Sequence, residues 1–208
     1  VLVSPRIALI DYKAGNLTSV RKALAAVGAD VYTPDTPADL ADAQGIIVPG
    51  VGHFAATAAI DRSWTDAILA RVGEGRPLLG ICLGLQWLYE GSEESPELSG
   101  LGLLSGRCHR LRGESTDAQV IKVPHVGWNS LERIVDAPIV DGMADGAQVY
   151  FTHSYVAPVT ADTVAATAHG ERFASIVQRG QVAGVQFHPE KSGTVGLQVL
   201  RNFMKMVG

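Results

Sequence analysis

The first ninety residues alternate short, wholly apolar runs with amphipathic ones, and no other feature of the chain constrains its fold as strongly. Arg6–Asp11 (RIALID), Asp30–Thr33, Gly45–Val48 and Pro77–Cys82 (PLLGIC) read as strands, the third stopped by Pro49-Gly50. Leu17–Val27 reads as a helix, because Leu17, Val20, Leu24 and Val27 share one face of 3.6-residue period. Thr36-Pro37 reads as an N-cap with proline at the first helical position, opening a short helix to about Ala43. Phe54–Gly73, in one or two pieces, and Leu83–Tyr89 are further helical patterns. Strands that are apolar along their whole length are covered on both faces, so the pattern predicts a mostly parallel sheet between helical layers. In such sheets ligands bind beyond the carboxyl ends of the strands.

From residue 91 the texture changes. Gly91–Gly100 reads as a polar loop. Leu101–Leu111, Gln119–Val123, Gln148–Ser154, Thr163–Thr167, Phe173–Gln178 and Val182–Phe187 read as strands separated by glycine-containing turns. Thr194–Val207 closes as a helix with Val199, Leu200, Phe203, Met204 and Val207 toward the core. The expectation is a single α/β domain over residues 1–208 of three layers, the antiparallel strands of the second half extending the same sheet.

The charge balance narrows the partners. Lys and Arg number 17 against 21 Asp and Glu, a net charge of −4, so there is no basic excess to neutralise phosphates and nucleic acid is not expected. No apolar run reaches the roughly 18–20 residues of a membrane span. Val1–Arg6 lacks a basic segment followed by an apolar one, so a secretory signal is not expected either. Two cysteines, Cys82 and Cys108, cannot form a disulfide framework, which favours a cytoplasmic enzyme with two thiols.

Chemistry concentrates in three short segments. Gly80-Ile81-Cys82-Leu83-Gly84 follows an apolar strand and opens a helix, the context of a nucleophile elbow with cysteine as nucleophile. Side chains at the flanking glycines would clash in such a turn, the helix dipole favours a thiolate, and the Leu83 N–H is placed to stabilise an oxyanion. A buried structural cysteine is the plainer alternative for this segment alone. Phe187-His188-Pro189-Glu190 supplies a base and a carboxylate two residues apart, on the same side of an extended segment. Pro49-Gly50-Val51-Gly52 ends a strand with little side chain, so its N–H groups can approach a substrate. His53, His109, His125, His153 and His169 show no spacing that suggests a metal site.

Together, and in this order, the three segments resemble the class I, or triad, glutamine amidotransferases, over essentially the whole chain. The resemblance implies a flavodoxin-like three-layer fold, L-glutamine as substrate, and neither cofactor nor metal. It makes Cys82 the nucleophile, His188 the general acid–base and Glu190 the orienting carboxylate. It places the oxyanion donors at Val51 and Leu83, and the glutamine contacts at Gly50, Gly52, Gln86, Glu94, Ser154 and Tyr155. Asp11-Tyr12-Lys13-Ala14-Gly15-Asn16-Leu17, Pro124-His125-Val126-Gly127-Trp128-Asn129, Tyr150-Phe151-Thr152-His153-Ser154-Tyr155 and His188-Pro189-Glu190-Lys191-Ser192 are similar to one branch of that family. Its members form heterodimers with a cyclase subunit built as a (β/α)8 barrel, to which they pass ammonia. Asn16, Trp128 and Lys191 would then lie at the interface. A glycine-rich oxyanion loop has little preference of its own, so the Val51 N–H is expected to point away until docking turns it. A glutaminase serving another synthase, of the pyridoxal phosphate or aminodeoxychorismate type, is the alternative. Gly113-Glu114-Ser115-Thr116 resembles a signature of the former, but it follows Cys82 instead of preceding it and reads as a surface turn.

Overall fold

The computed structural model describes residues 5–113 and 121–208. The expected Gln119–Val123 strand and the Gly113–Thr116 turn fall partly, and the N-terminal Val1–Ser4 wholly, outside the described residues; 121–123 are not in a strand. In chain order the elements of the first half are β1 (Arg6–Leu9), α1 (Leu17–Ala26), β2 (Asp30–Tyr32), β3 (Gly45–Gly50), α2 (Arg62–Gly73), β4 (Leu78–Cys82) and α3 (Leu83–Leu88). The 3-10 turns Pro37–Asp42 and Phe54–Ala59 stand where short helical pieces are expected. There follow β5 (Gly91–Ser92), β6 (Ser95–Ser99), β7 (Arg107–Arg110), β8 (His125–Ser130), β9 (Glu132–Arg133), β10 (Gln148–His153), β11 (Tyr155–Val156), β12 (Thr163–His169), β13 (Glu171–Arg179), β14 (Val182–Val185) and α4 (Gly193–Val207).

The main sheet among the described residues runs β2-β1-β3-β4-β14-β13-β12-β9. Its first five strands are parallel, and β13, β12 and β9 are antiparallel additions. Each face carries its own core. Ile7, Leu9, Ile47, Leu79 and Ile81 pack against Val20 and Leu24 of α1 and Val199, Leu200 and Phe203 of α4. Ala8, Ile46, Val48 and Leu78 pack with Ile68 of α2 and Leu83 and Leu85 of α3. The alternation along β1 and β3 thus feeds two cores, which is why these strands are apolar throughout.

Four expectations need correction. β3 continues through Pro49 to Gly50, opposite Ile81 and Cys82 of β4. Its other neighbour, β1, pairs only as far as Ile47, so the missing proline N–H falls where that side of the strand is open. Gly91–Gly100 is not a loop but holds β5, whose two small residues are buried, and β6, a largely exposed polar edge strand. Leu101–Leu111 is a strand only over Arg107–Arg110; Gly102 and Gly106 have φ of 70° and 100°, which no regular strand accommodates. The second half does not simply extend the main sheet, because β10-β8 form a ribbon and β11-β7-β5-β6 a third sheet.

The closest backbone approach lies under the elbow. A Cβ on Gly84 would stand 1.8 Å from the Val48 carbonyl oxygen, and one on Gly80 would stand 2.6 Å from the Gly84 carbonyl. Gly84→Ala is expected to lower stability by about 3 kcal/mol through overpacking, read as a fall in urea midpoint. Gly73→Ala, where a Cβ meets nothing within 4 Å, is expected to be neutral or slightly stabilising.

Candidate active site

Where β4 hands over to α3, Cys82 adopts φ 54° and ψ −104°. Such a conformation costs a side-chain-bearing residue about 1–3 kcal/mol. The pairings of β4 with β3 and β14, and the two flanking glycines, hold it there. β14 runs parallel to β4 with Val185 opposite Ile81, so the chain leaving β14 emerges beside Cys82. Gln186 and His188 follow on it and Phe187 turns into the core, whereas Glu190 stands in a 3-10 turn, Pro189–Lys191, so the carboxylate returns to the imidazole through a turn and not along the extended segment expected.

His188 Nδ1 bonds Glu190 Oε1 at 3.0 Å, with the two side chains only 2% and 4% exposed. His188 Nε2 and Glu190 Oε2 are buried without a hydrogen-bond partner among the described residues. Burial opposes protonation of this imidazole, but the nearby Cys82 sulfur and the hydrogen bond and charge of Glu190 outweigh it and push its pKa up to about 10. A histidine whose Nδ1 is fixed by a carboxylate and whose Nε2 is unengaged beside a thiol can move a proton to and from whatever the sulfur attacks.

Gly52, Cys82, Leu83, Gln86, Glu94, Ser154 and Tyr155 all line one cleft of about 270 Å³ at the carboxyl end of the parallel strands. Glu94 stands on the turn between β5 and β6, where its Oε2 accepts the Phe54 N–H at 2.7 Å. Gln86 Nε2 donates to the Tyr155 carbonyl at 3.0 Å and to Gln186 Oε1 at 3.3 Å, leaving its own carbonyl oxygen as the group it can offer. Gly50 lies beneath the cleft, where a Cβ would fall 1.9 Å from the Tyr12 hydroxyl. The Val51 N–H is not turned toward a substrate, because it donates to the Ala14 carbonyl at 3.0 Å.

The residues expected at an interface separate into two groups. Trp128 is 57% exposed on β8 and packs edge-on against Tyr150 with ring centroids 6.1 Å apart, and Lys191 Nζ lies 5.8 Å over the same Tyr150 ring. Asn16, also exposed, acts locally, since its Oδ1 caps α1 by accepting the Ser19 N–H at 3.3 Å. Cys108 is buried on β7, and burial pushes its thiol pKa up. Among the described residues no group of three or more His, Cys, Asp or Glu could hold a metal ion.

Sequence reasoning misses a chain of neutral hydrogen bonds behind the cleft. His153 Nδ1 lies 3.1 Å from the Tyr155 carbonyl and so carries the proton. Its Nε2 must then accept from His125 Nδ1 at 3.1 Å, and His125 Nε2 accepts from Asn129 Nδ2 at 3.3 Å. Burial, with repulsion from neighbouring histidines, lowers the pKa to about 4 for His125 and about 3 for His153. Gln186 is missed too; it lies two residues before His188 on the chain leaving β14.

Comparison with known proteins identifies the family. Residues 8–207 match the model of the family described as glutamine amidotransferase class-I. The chain belongs to the class I glutamine amidotransferases. It is 49% identical to the imidazole glycerol phosphate synthase subunit HisH of Gloeobacter violaceus, over 97% of this chain and 90% of that protein. The HisH subunit of Halalkalibacterium halodurans is 46% identical, over 96% of this chain and 95% of its own length. Among solved structures, PurLQS from Thermotoga maritima superposes with a TM-score of 0.74 at 20% identity, covering 99% of this chain and 100% of that one. This last likeness is one of fold.

The buried imidazoles link stability to pH in opposite directions. Folded His125 and His153 stay neutral until about 4 and about 3, whereas the unfolded chain protonates them near 6.5. Their contribution is complete above 6.5 and is lost as pH falls toward 4. His188 is protonated when folded up to about 10, so its contribution is complete below 6.5 and is lost as pH rises toward 10. Urea midpoints are expected to fall on both sides of neutrality. His188→Asn should flatten the alkaline limb alone, and His153→Gln the acid limb alone.

Proposed function

We propose that Cys82, His188 and Glu190 form the triad with which this amidotransferase hydrolyses L-glutamine. As a member of the HisH branch the chain serves as the glutaminase subunit of imidazole glycerol phosphate synthase, in histidine biosynthesis. The observation that carries the triad is the buried His188–Glu190 pair, its free Nε2 beside a cysteine held at positive φ. The remaining parts of the reading are a single domain over 1–208, a cytoplasmic location, which the two free thiols favour, and a heterodimer with the (β/α)8-barrel cyclase. That subunit uses the ammonia to form imidazole glycerol phosphate and AICAR from phosphoribulosyl-formimino-AICAR phosphate.

The substrate's α-ammonium binds at Glu94 and donates also to the free Gln86 carbonyl oxygen, with the backbone of Ser154 and Tyr155 on one side and Gly52 on the other. Its carboxamide carbon then sits over Cys82. The sulfur attacks that carbon and a C–S bond forms. The C–N bond breaks as the His188 imidazolium gives its proton to the departing nitrogen, which leaves as ammonia. Water next attacks the glutamyl thioester, His188 takes the water's proton, the C–S bond breaks, and glutamate leaves. The negative oxygen of each tetrahedral intermediate is met by the Leu83 N–H and, once its peptide turns away from Ala14, by the Val51 N–H. The exposed Trp128 and Lys191, the half-buried Tyr150 between them and Asn16 face the cyclase and favour that turn on docking.

Cys82→Ala is expected to abolish glutamine-dependent synthesis by the complex while leaving ammonium-dependent synthesis intact; loss of both would refute this division of labour. Lys191→Ala is expected to reduce the stimulation of glutaminase by the cyclase about tenfold, the loss of roughly 1.4 kcal/mol of coupling. An unchanged stimulation factor would remove Lys191 from the interface.

A further inference from the structure

We infer that Gln186 is a working part of the site: its side-chain amide donates a hydrogen bond to the Cys82 sulfur and holds that sulfur on its line of attack. The inference rests on the reading of Cys82 as the nucleophile. Gln186 is wholly buried, and its Nε2 stands 3.7 Å from Cys82 Sγ. Its Oε1 accepts from Gln86 Nε2 at 3.3 Å, and its backbone N–H is fixed on the Ser175 carbonyl at 2.9 Å.

The direction of the amide follows from its neighbours. Gln86 Nε2 has two hydrogens, one committed to the Tyr155 carbonyl, and the other needs an acceptor. A reversed Gln186 amide would set NH2 against NH2 and leave a carbonyl oxygen against the sulfur. The N–H therefore faces Cys82. A primary amide buried in this core is costly unless each of its groups is engaged. A methionine or leucine would fill the same volume without that cost, so the amide is explained by what it touches.

The two groups that approach the sulfur from this strand do different things. His188, two residues further on, carries the mobile proton. Gln186 offers N–H groups that do not titrate, so it stabilises charge on sulfur both when the nucleophile forms and when the thioester breaks. Its other end is one hydrogen bond from Gln86, which lines the cleft. Substrate contact at Gln86 is thereby one amide away from the nucleophile.

The test uses Gln186→Met, which keeps volume without a donor, and Gln186→Glu, which keeps shape but brings an acceptor. In the complex with the cyclase, each is expected to lower kcat for glutamine about 10- to 100-fold, the worth of a hydrogen bond to a charged group. KM should stay within about threefold, and ammonium-dependent synthesis should be unchanged. Alkylation of Cys82 by iodoacetamide should slow about tenfold at neutral pH, its pH–rate curve displaced to higher pH. A merely structural glutamine would lower the urea midpoint and leave that curve in place, which would overturn the inference, as would a loss confined to KM. A readout on the native sequence is the Gln186 side-chain amide resonance. It is expected to shift in Cys82→Ala, and an unmoved resonance would likewise overturn the contact. Failure of the triad reading looks different: glutamine hydrolysis would survive Cys82→Ala.

Discussion

The site depends on how closely the backbone of α3 approaches β3 and β4. With glycine at 84 the helix settles almost onto the Val48 carbonyl, and with glycine at 80 its first turn closes over the strand that precedes it. Only in that arrangement can the chain reverse direction at a single residue, and that residue is Cys82, at φ 54°. The strain is local, of order 1–3 kcal/mol, and is offset by a sheet whose central strands are buried on both faces. The parallel register of β14 on β4 then determines what meets the sulfur, because it delivers Gln186 and His188 at the height of the elbow. A shift of one residue would exchange Phe187 for both of them.

Histidines packed around the same cleft are driven in opposite directions by their surroundings. His188 has a carboxylate on Nδ1 and a thiol near Nε2, and these overcome the cost of burying a charge. His125 and His153 have only neutral partners, arranged so that each ring nitrogen already has its proton or its lone pair used. An added proton there would break a hydrogen bond as well as bury a charge. The outcome is one imidazolium next to Cys82, backed by a neutral scaffold that does not compete for its proton.

What the sequence makes legible follows from what is local. The elbow is five consecutive residues with a steric reason for each glycine, and His188 and Glu190 are two residues apart, brought together by the 3-10 turn that Pro189 opens. The apolar strands of the first half are readable because burial on both faces leaves an unmistakable composition. The half-exposed pieces are not. β5 and β6 read as a loop because β5 is only Gly91 and Ser92, buried but not apolar, and β6 is a largely exposed polar edge strand, and yet they set Glu94 against the Phe54 N–H. The ribbon strand β8 carries apolar Val126 and Trp128 on its exposed face and buries His125, which hides its alternation. Gln186 escapes notice because a glutamine in an apolar strand has no meaning until the residues that bond its two ends, 104 and 100 positions away, are known.

The loop proposed to supply the second oxyanion donor is held in its present conformation by little free energy. Val51 is 40% exposed, and its N–H is held on the Ala14 carbonyl by one backbone hydrogen bond. Such a bond is worth about 0.5–1.5 kcal/mol net, so turning the peptide forfeits roughly a factor of two to ten in population. Gly52, at φ 95°, supplies a hinge on one side of Val51, and Gly50 supplies one on the other beneath the Tyr12 hydroxyl, itself buried without a partner among the described residues. A partner that pressed on the exposed Val51 side chain or took over Ala14 would need only a differential affinity of that size to present the donor. On the proposed reading, so small a term can be overcome by docking without rearranging the sheet, and the strained cysteine and its histidine need not move.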